Sequence, residues 1–388
     1  LRRRLADGEP AAALAGALLE VATRGDSESI RLLFDAAHAL GQTDAPAAAA
    51  LVSRAISLIG DDRRFGDLVV EALPLLWRGG RPSEVLVAGR ELNARLDPER
   101  RARVLLTQAR LLTEISFVDA IRCCDEALDI IGITDSVRVE LLAVRTLNCA
   151  NAADSTQLRA SITRARSIAS PERDPRPLAT IDACESVLAF NENRFDDAVQ
   201  LIDNAELHIV ESGGRPSLWQ PEGQWRAWMR AAIGHPDDAL RIVDQGLIEA
   251  RGVRDAPAEA YLMMQRSRML FELGRLEEAR AQAETVLELA TAFQLGDYGN
   301  AIAGIVLFKI ALHAGDQRLL DTVRPIVERM AAGPSVTRAG TWTLALEAHN
   351  SGAPELARGR SQLALDSLDD AVPSMTTPAD FADDVFLA

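Results

Sequence analysis

The stretch FELGRLEEARAQAETVLELA, residues 271–290, constrains the fold of this chain more than any other feature. Before it, residues 258–273 place Leu262, Met263, Met269 and Leu270 at helical spacing. Gly274 then ends that helix, because glycine takes the left-handed backbone of a C-cap without steric cost. Glu277 and Glu278 stand where acids favour the dipole of the next helix. Ala279, Ala283, Val286, Leu287 and Leu289 supply a second apolar face. The product is a helical hairpin. One hairpin in water leaves its apolar faces open, so it needs neighbours stacked on both sides.

Those neighbours are legible. Gly234 stands five residues before Ala239, and Gly352 five before Ala357, as Gly274 does before Ala279. Gly80 precedes Val85 in the same way, Asn193 takes the glycine place before Ala198, and Ala120 lacks the glycine. The equivalent small or apolar positions are Ala48, Val85, Ala120, Leu158, Ala198, Ala239, Ala279, Leu320 and Ala357. Their steps run from roughly 35 to 41 residues, so nine hairpins fill most of the chain.

Composition agrees. Hydrophobic residues make up 48% and charged residues 26%, which fits a globular chain, while aromatics are only 4%. Alanine and leucine pack helices closely, and alternating Val, Ile and Thr runs that strands need are scarce. The net charge of −15 repels nucleic-acid backbones, so no direct nucleic-acid binding is expected. Lys309 is the one lysine, a bias towards arginine that points to a GC-rich, bacterial genome. Cys123, Cys124, Cys149 and Cys184 show no metal-ligand spacing and read as buried thiols packing as small hydrophobes. There is no secretory signal and no membrane-length apolar run, since AIAGIVLFKIALHAG is interrupted by Lys309. A cytoplasmic protein is expected. The chain starts with Leu and stops inside a helical pattern, which suggests a piece of a longer protein.

The repeat resembles the tetratricopeptide family, with the Gly274/Ala279 unit the best fit and the other units drawn out beyond the usual period of about 34. The first sixty residues, with AGALLEVATRGD, LLFDAAHALG and APAAAALVSRAISL, are similar to the segment that follows the ATPase in MalT-like, LuxR-type large ATP-binding transcription regulators. That resemblance implies an ATPase module before this segment, a helix-turn-helix after it, and an inducer or partner protein in the concave groove. A phosphate-binding P-loop is missing, because Lys309 follows no glycine loop.

Catalysis finds no support. The five histidines are scattered, and the carboxylate pairs Asp196–Asp197, Asp237–Asp238 and Glu277–Glu278 fall at turns, as solvated helix starts do. The segments at 61–64 and 99–103 read as solvated charge. In tetratricopeptide folds the first helix of each hairpin lines the concave face. By that resemblance Trp228, Arg268 and Lys309 occupy one place in successive first helices, with Tyr261, Met264 and Phe271 on the matching face of one unit and Trp342 and His349 in the last. The run at 217–230 adds Trp225, Arg226 and Arg230, a combination that suits an acidic or aromatic partner. The alternative is that these tryptophans fill the seam between hairpins.

The sequence therefore predicts an all-α, right-handed superhelix (an α-solenoid) of about nine tetratricopeptide-like hairpins. The array spans 1–370, with a possible subdivision near 167–180, and 371–388 is an exit linker or truncated helix. The expected role is a non-catalytic sensor without cofactor or metal, binding a small-molecule inducer or a protein or peptide. Its other partners would be the ATPase and DNA-binding modules of the same regulator, and no membrane. The rivals are a stand-alone scaffold or adaptor and, less favoured, an α/α-toroid enzyme.

Overall fold

A computed structural model describes residues 11–366 except 42, 60–64, 94–95, 114, 153, 193, 212, 214–220, 253–255, 293–296 and 333–336. The expectations for 371–388, for Asn193, for the segment at 61–64, and for a longer loop before the tryptophan run fall largely or wholly outside these residues. Among the described residues there is no strand. A short 3-10 turn, Ala11–Leu14, and helix α1, Ala15–Val21, cover the start of the array. Nine hairpins follow among the described residues. They are α2/α3 (Ser27–Leu40, Ala45–Ile59), α4/α5 (Gly66–Arg78, Pro82–Asn93) and α6/α7 (Pro98–Leu112, Phe117–Leu128). Next come α8/α9 (Asp135–Asn151, Ser155–Arg166), α10/α11 (Pro175–Asn191, Phe195–Glu211) and α12/α13 (Pro221–Ala232, Pro236–Gly252). The last three are α14/α15 (Ala256–Glu272, Leu276–Ala292), α16/α17 (Asp297–Ala314, Gln317–Ala332) and α18/α19 (Thr337–Asn350, Pro354–Asp366).

The turn chemistry is the one the sequence signals. Gly80, Gly234, Gly274, Gly315 and Gly352 all have positive φ. At each, the next residue's N–H reaches back to a carbonyl inside the first helix, as Arg275 does to Leu270 at 2.9 Å and His235 to Arg230 at 2.8 Å. Among the described residues, four of the second helices start on side-chain caps, at Asp44, Ser116, Asp154 and Asp316: Asp154 accepts from the Gln157 N–H at 2.8 Å and Asp316 from Leu319 at 3.0 Å. All nine equivalent small or apolar residues, Ala48 to Ala357, are the fourth residue of their second helix, and all are buried. At that depth a small side chain lets the second helix lie close against the first.

Neighbour contacts give the row its curvature. Each first helix packs on its own second helix and also on the first helices before and after it, whereas among the described residues second helices of successive complete hairpins make no comparable contact. First helices therefore form a tight inner row and second helices an outer, splayed one. Helix α16 shows the consequence: it contacts α14, α15, α17 and α18, and nearly all of residues 301–311 are buried. That environment, not a bilayer, explains the apolar run around Lys309, and no helix among the described residues is long and apolar enough to cross a membrane. No substantial contact joins the first and last hairpins among the described residues, so the row is an open solenoid and not a closed toroid. At 167–180, Pro175 opens α10 and Pro177 lies in its first turn, where the missing N–H costs nothing. A single apolar core runs from Ala102 to Met229 across this connection.

The thiols are packing groups. Cys124, Cys149 and Cys184 are buried and Cys123 is partly exposed. Burial pushes the Cys123 thiol up to about 12 and the Cys149 thiol up to about 11. Alkylation of both by iodoacetamide at pH 8 is therefore expected to be slower than that of a free thiol by about a hundredfold or more. Mass spectrometry over time checks this, and labelling of Cys123 at the free-thiol rate would refute it.

Candidate ligand-binding face

The inner row carries the side chains that a partner could meet. Lys309 on α16 is half-buried, and its Nζ lies 4.1 Å from the centre of the Trp342 ring on α18 and 5.4 Å from that of Phe271 on α14. Three consecutive first helices thus contribute one aromatic–ammonium–aromatic ladder. The register follows the turns: Phe271 is three residues before Gly274, and Lys309 six before Gly315. The same offset recurs two hairpins earlier. Phe190 on α10 packs at a tilt against Trp228 of α12, with centroids 4.8 Å apart, and meets Phe195 edge-on at 5.1 Å.

The predicted residues divide by depth. Trp342 is 1% exposed, Trp225 and Trp228 4%, and Arg268 9%, while Tyr261 and Lys309 are intermediate. Trp225 and Trp228 belong to the apolar core shared by hairpins three to six, so in this conformation they fill the seam between units. Arg226 and Arg230 turn outward to α11: Arg226 pairs with Glu206 and lies 3.9 Å from Asp203, and Arg230 lies 3.8 Å from Asp203. The structure thus gathers Lys309 and Trp342 with Phe271, and sets Arg226 and Arg230 apart from them. Met264, on the expected face, is fully buried, and His349 is exposed.

Two contributors were not singled out as site residues from the sequence. Phe190 has the register of Phe271, but no glycine marks its turn. Gln265 is 4% exposed, and its Oε1 has no hydrogen-bond partner among the described residues, as is true of the Trp342 and Trp228 Nε1 atoms. Buried orphans of this kind cost about 1–3 kcal/mol each.

The carboxylates elsewhere are structural. Asp197, Asp238 and Glu278 are exposed and pair with Arg194, Arg241 and Arg275 of their own turns. No group of three or more His, Cys, Asp and Glu side chains gathers to hold a metal among the described residues. Asp182 is one of three buried carboxylates among the described residues, with Asp174 and Glu347: one of its oxygens meets Arg166 of α9 at 2.5 Å and the other His208 of α11 at 3.2 Å. Burial raises its pKa above the usual value, against the lowering effect of Arg166. A raised folded-state pKa means that Asp182's contribution to stability is full below the unfolded pKa and is lost as pH rises through the folded one. The stability difference between wild type and Asp182→Asn, followed in urea from pH 3 to 7, is expected to shift against the wild type as pH rises. A flat difference would contradict it.

The fold and this inner row define an open solenoid of tetratricopeptide-like hairpins. Similar solved structures include a Rap protein complexed with Competence and Sporulation Factor (11% identity, TM-score 0.56, covering 88% of this chain and 99% of that one). A second is the human IFIT1 dimer with PPP-AAAA (13% identity, TM-score 0.51, covering 93% and 81%). A third is a signal-transduction ATPase with numerous domains and a tetratricopeptide sensor from Pyrococcus horikoshii (13%, TM-score 0.43, covering 89% and 53%). At these identities the likeness concerns the fold alone. No protein-family model matches the chain, and no curated protein matches it in sequence.

Proposed function

We propose that this chain is a non-catalytic recognition module that receives a peptide, protein or small inducer on the inner face of its solenoid. The observation that carries the reading is the Phe271–Lys309–Trp342 ladder. A half-buried ammonium framed by two rings, on the row that faces the axis, is a feature that recognition uses and that packing alone does not require. The Rap protein, whose full length this fold matches, was solved in complex with a factor, which supports a solenoid of this size as a receiver.

The module's setting, in our reading, is the sensor segment of a bacterial LuxR-type regulator. The support is the resemblance of the first sixty residues, which from Ala15 to Ile59 form α1 to α3 apart from position 42. Ligand binding would then bias an ATPase module between resting and assembling states, which requires different affinity for the two. A stand-alone scaffold is the second reading, favoured by the same inner face. Hydrogen exchange of the full-length protein with and without a cell-derived peptide fraction tests the shared core of both. Protection is expected on α14, α16 and α18, and protection confined to the outer helices would sink the proposal. The reading frame around the segment separates the two settings: a P-loop before it and a helix-turn-helix after it are expected for the regulator.

A further inference from the structure

We propose that the far side of the ninth hairpin is a docking face, and that its occupant is this chain's own segment 378–388, seated as the first helix of a tenth hairpin. The argument is independent of the inner-face reading above.

The face comes first. Every interior first helix is packed by the first helices on both sides of it. At the start of the array, the Ala11–Leu14 turn and α1 cover α2. At the other end, α18 makes substantial contact with α16, α17 and α19 alone among the described helices. Yet all seven residues from Ala339 to Ala345 are buried, Thr343 and Ala345 at 0% exposure. Seven successive residues point in every direction around a helix axis, so the side turned away from α16 is covered as well.

Ser361 on α19 leads to the same place. It is the eighth residue of its helix, as Arg324 is of α17, and Arg324 pairs with Glu347 of the following first helix. By that register Ser361 turns towards whatever follows α19. It is 0% exposed, and its Oγ has no hydrogen-bond partner among the described residues.

The sequence supplies the occupant. Thr337 opens α18 40 residues after Asp297 opens α16, and Pro378 follows Thr337 by 41. Pro98, Pro175 and Pro221 open α6, α10 and α12, so proline in the first position of a first helix recurs in this array. Thr377 stands in the N-cap place before Pro378, and Asp380 in the first turn. Counted from the opening proline, the fifth, eighth and ninth residues are Ala102, Leu105 and Leu106 in α6, and Trp225, Trp228 and Met229 in α12, all buried. The same places after Pro378 hold Ala382, Val385 and Phe386, with Phe381 on the same side of a helical projection. Asp380, Asp383 and Asp384 fall on the other side. With the segment seated, the Lys309–Trp342 pair lies inside the array and not at its end.

The test puts a thiol on the face of the 388-residue chain. Ser361→Cys exchanges one oxygen for sulfur, and mass spectrometry follows its alkylation by iodoacetamide. Labelling is expected to be at least about tenfold slower than in urea-unfolded chain, and at least about tenfold faster once Val385→Ser and Phe386→Ser are added. Asp383→Ser, on the opposite side, should leave the rate within about twofold. Hydrogen exchange of the chain that keeps Ser361 reads the same face without the thiol. There Val385→Ser with Phe386→Ser should lower protection of α18 and α19 by about tenfold or more and leave α2 to α7 unchanged. Free labelling of Ser361→Cys in the otherwise native chain overturns the proposal, as do labelling and exchange that ignore the two serines. An effect of Asp383→Ser equal to theirs also overturns it. Protection of α18 that fades on dilution, with a dimer in sedimentation, would refute the intrachain occupant and assign the face to a second copy.

Discussion

Trp228→Ala is expected to destabilise the solenoid by about 3–5 kcal/mol, the largest effect of any substitution considered. The ring is 4% exposed and packs at a tilt against Phe190, and it lies in the core that spans hairpins three to six. Truncation removes its buried area and leaves a cavity where α10 and α12 meet, which neighbours on rigid helices fill only in part. Trp228→Phe is the control. It keeps a ring against Phe190 and removes the buried Nε1–H that lacks a hydrogen-bond partner among the described residues, so its cost should stay below about 1.5 kcal/mol. Urea unfolding followed at 222 nm measures both. A loss under about 1 kcal/mol for Trp228→Ala would show that the ring is not a packing element. In a repeat array the loss should also fall locally, as reduced hydrogen-exchange protection of α10 and α12 before the distant hairpins respond.

Gly79→Ala should be the second largest, at up to about 3 kcal/mol, and should exceed Gly80→Ala. The two glycines are adjacent and do different work. Gly80 has φ of 78°, so a side chain there carries the strain of the left-handed region, about 1–2 kcal/mol. Gly79 has an unstrained φ of −86°. A Cβ on it would lie 2.2 Å from the Ala49 Cβ and 2.5 Å from the Ala45 carbonyl oxygen, both in α3. Neither atom is the end of a flexible side chain, so the helix itself must shift. Chemical denaturation of the two variants decides the matter, and the reverse ranking would show that α4 and α3 can move apart freely.

Local grammar made the hairpins readable. The C-cap glycines, the first-turn acids and the apolar faces act within a few residues of themselves, and the fourth residue of each second helix could be placed without coordinates. The candidate site residues were less readable. Helical register put Trp228, Arg268 and Lys309 on one stripe, but register says nothing of how far a stripe is covered by the next hairpin. Trp228 is covered and Lys309 is only half covered, a difference set by which residues neighbouring first helices bring: Phe190 in one case, Phe271 and Trp342 in the other. Arg226 and Arg230 are drawn away from that stripe by Asp203 and Glu206 on α11, acids that sequence reading had assigned no role.

By itself, then, the sequence determined the hairpin, its turn and its repetition, because capping, helix periodicity and the need to cover an apolar face are short-range demands written in neighbouring residues. Only the tertiary structure decided which inward side chains became core and which stayed reachable. The same holds for the space that Gly79 must leave open and for the pairing of Lys309 with two rings. Those outcomes depend on distances between helices about forty residues apart in sequence, and such distances are fixed by the packing of all neighbours together.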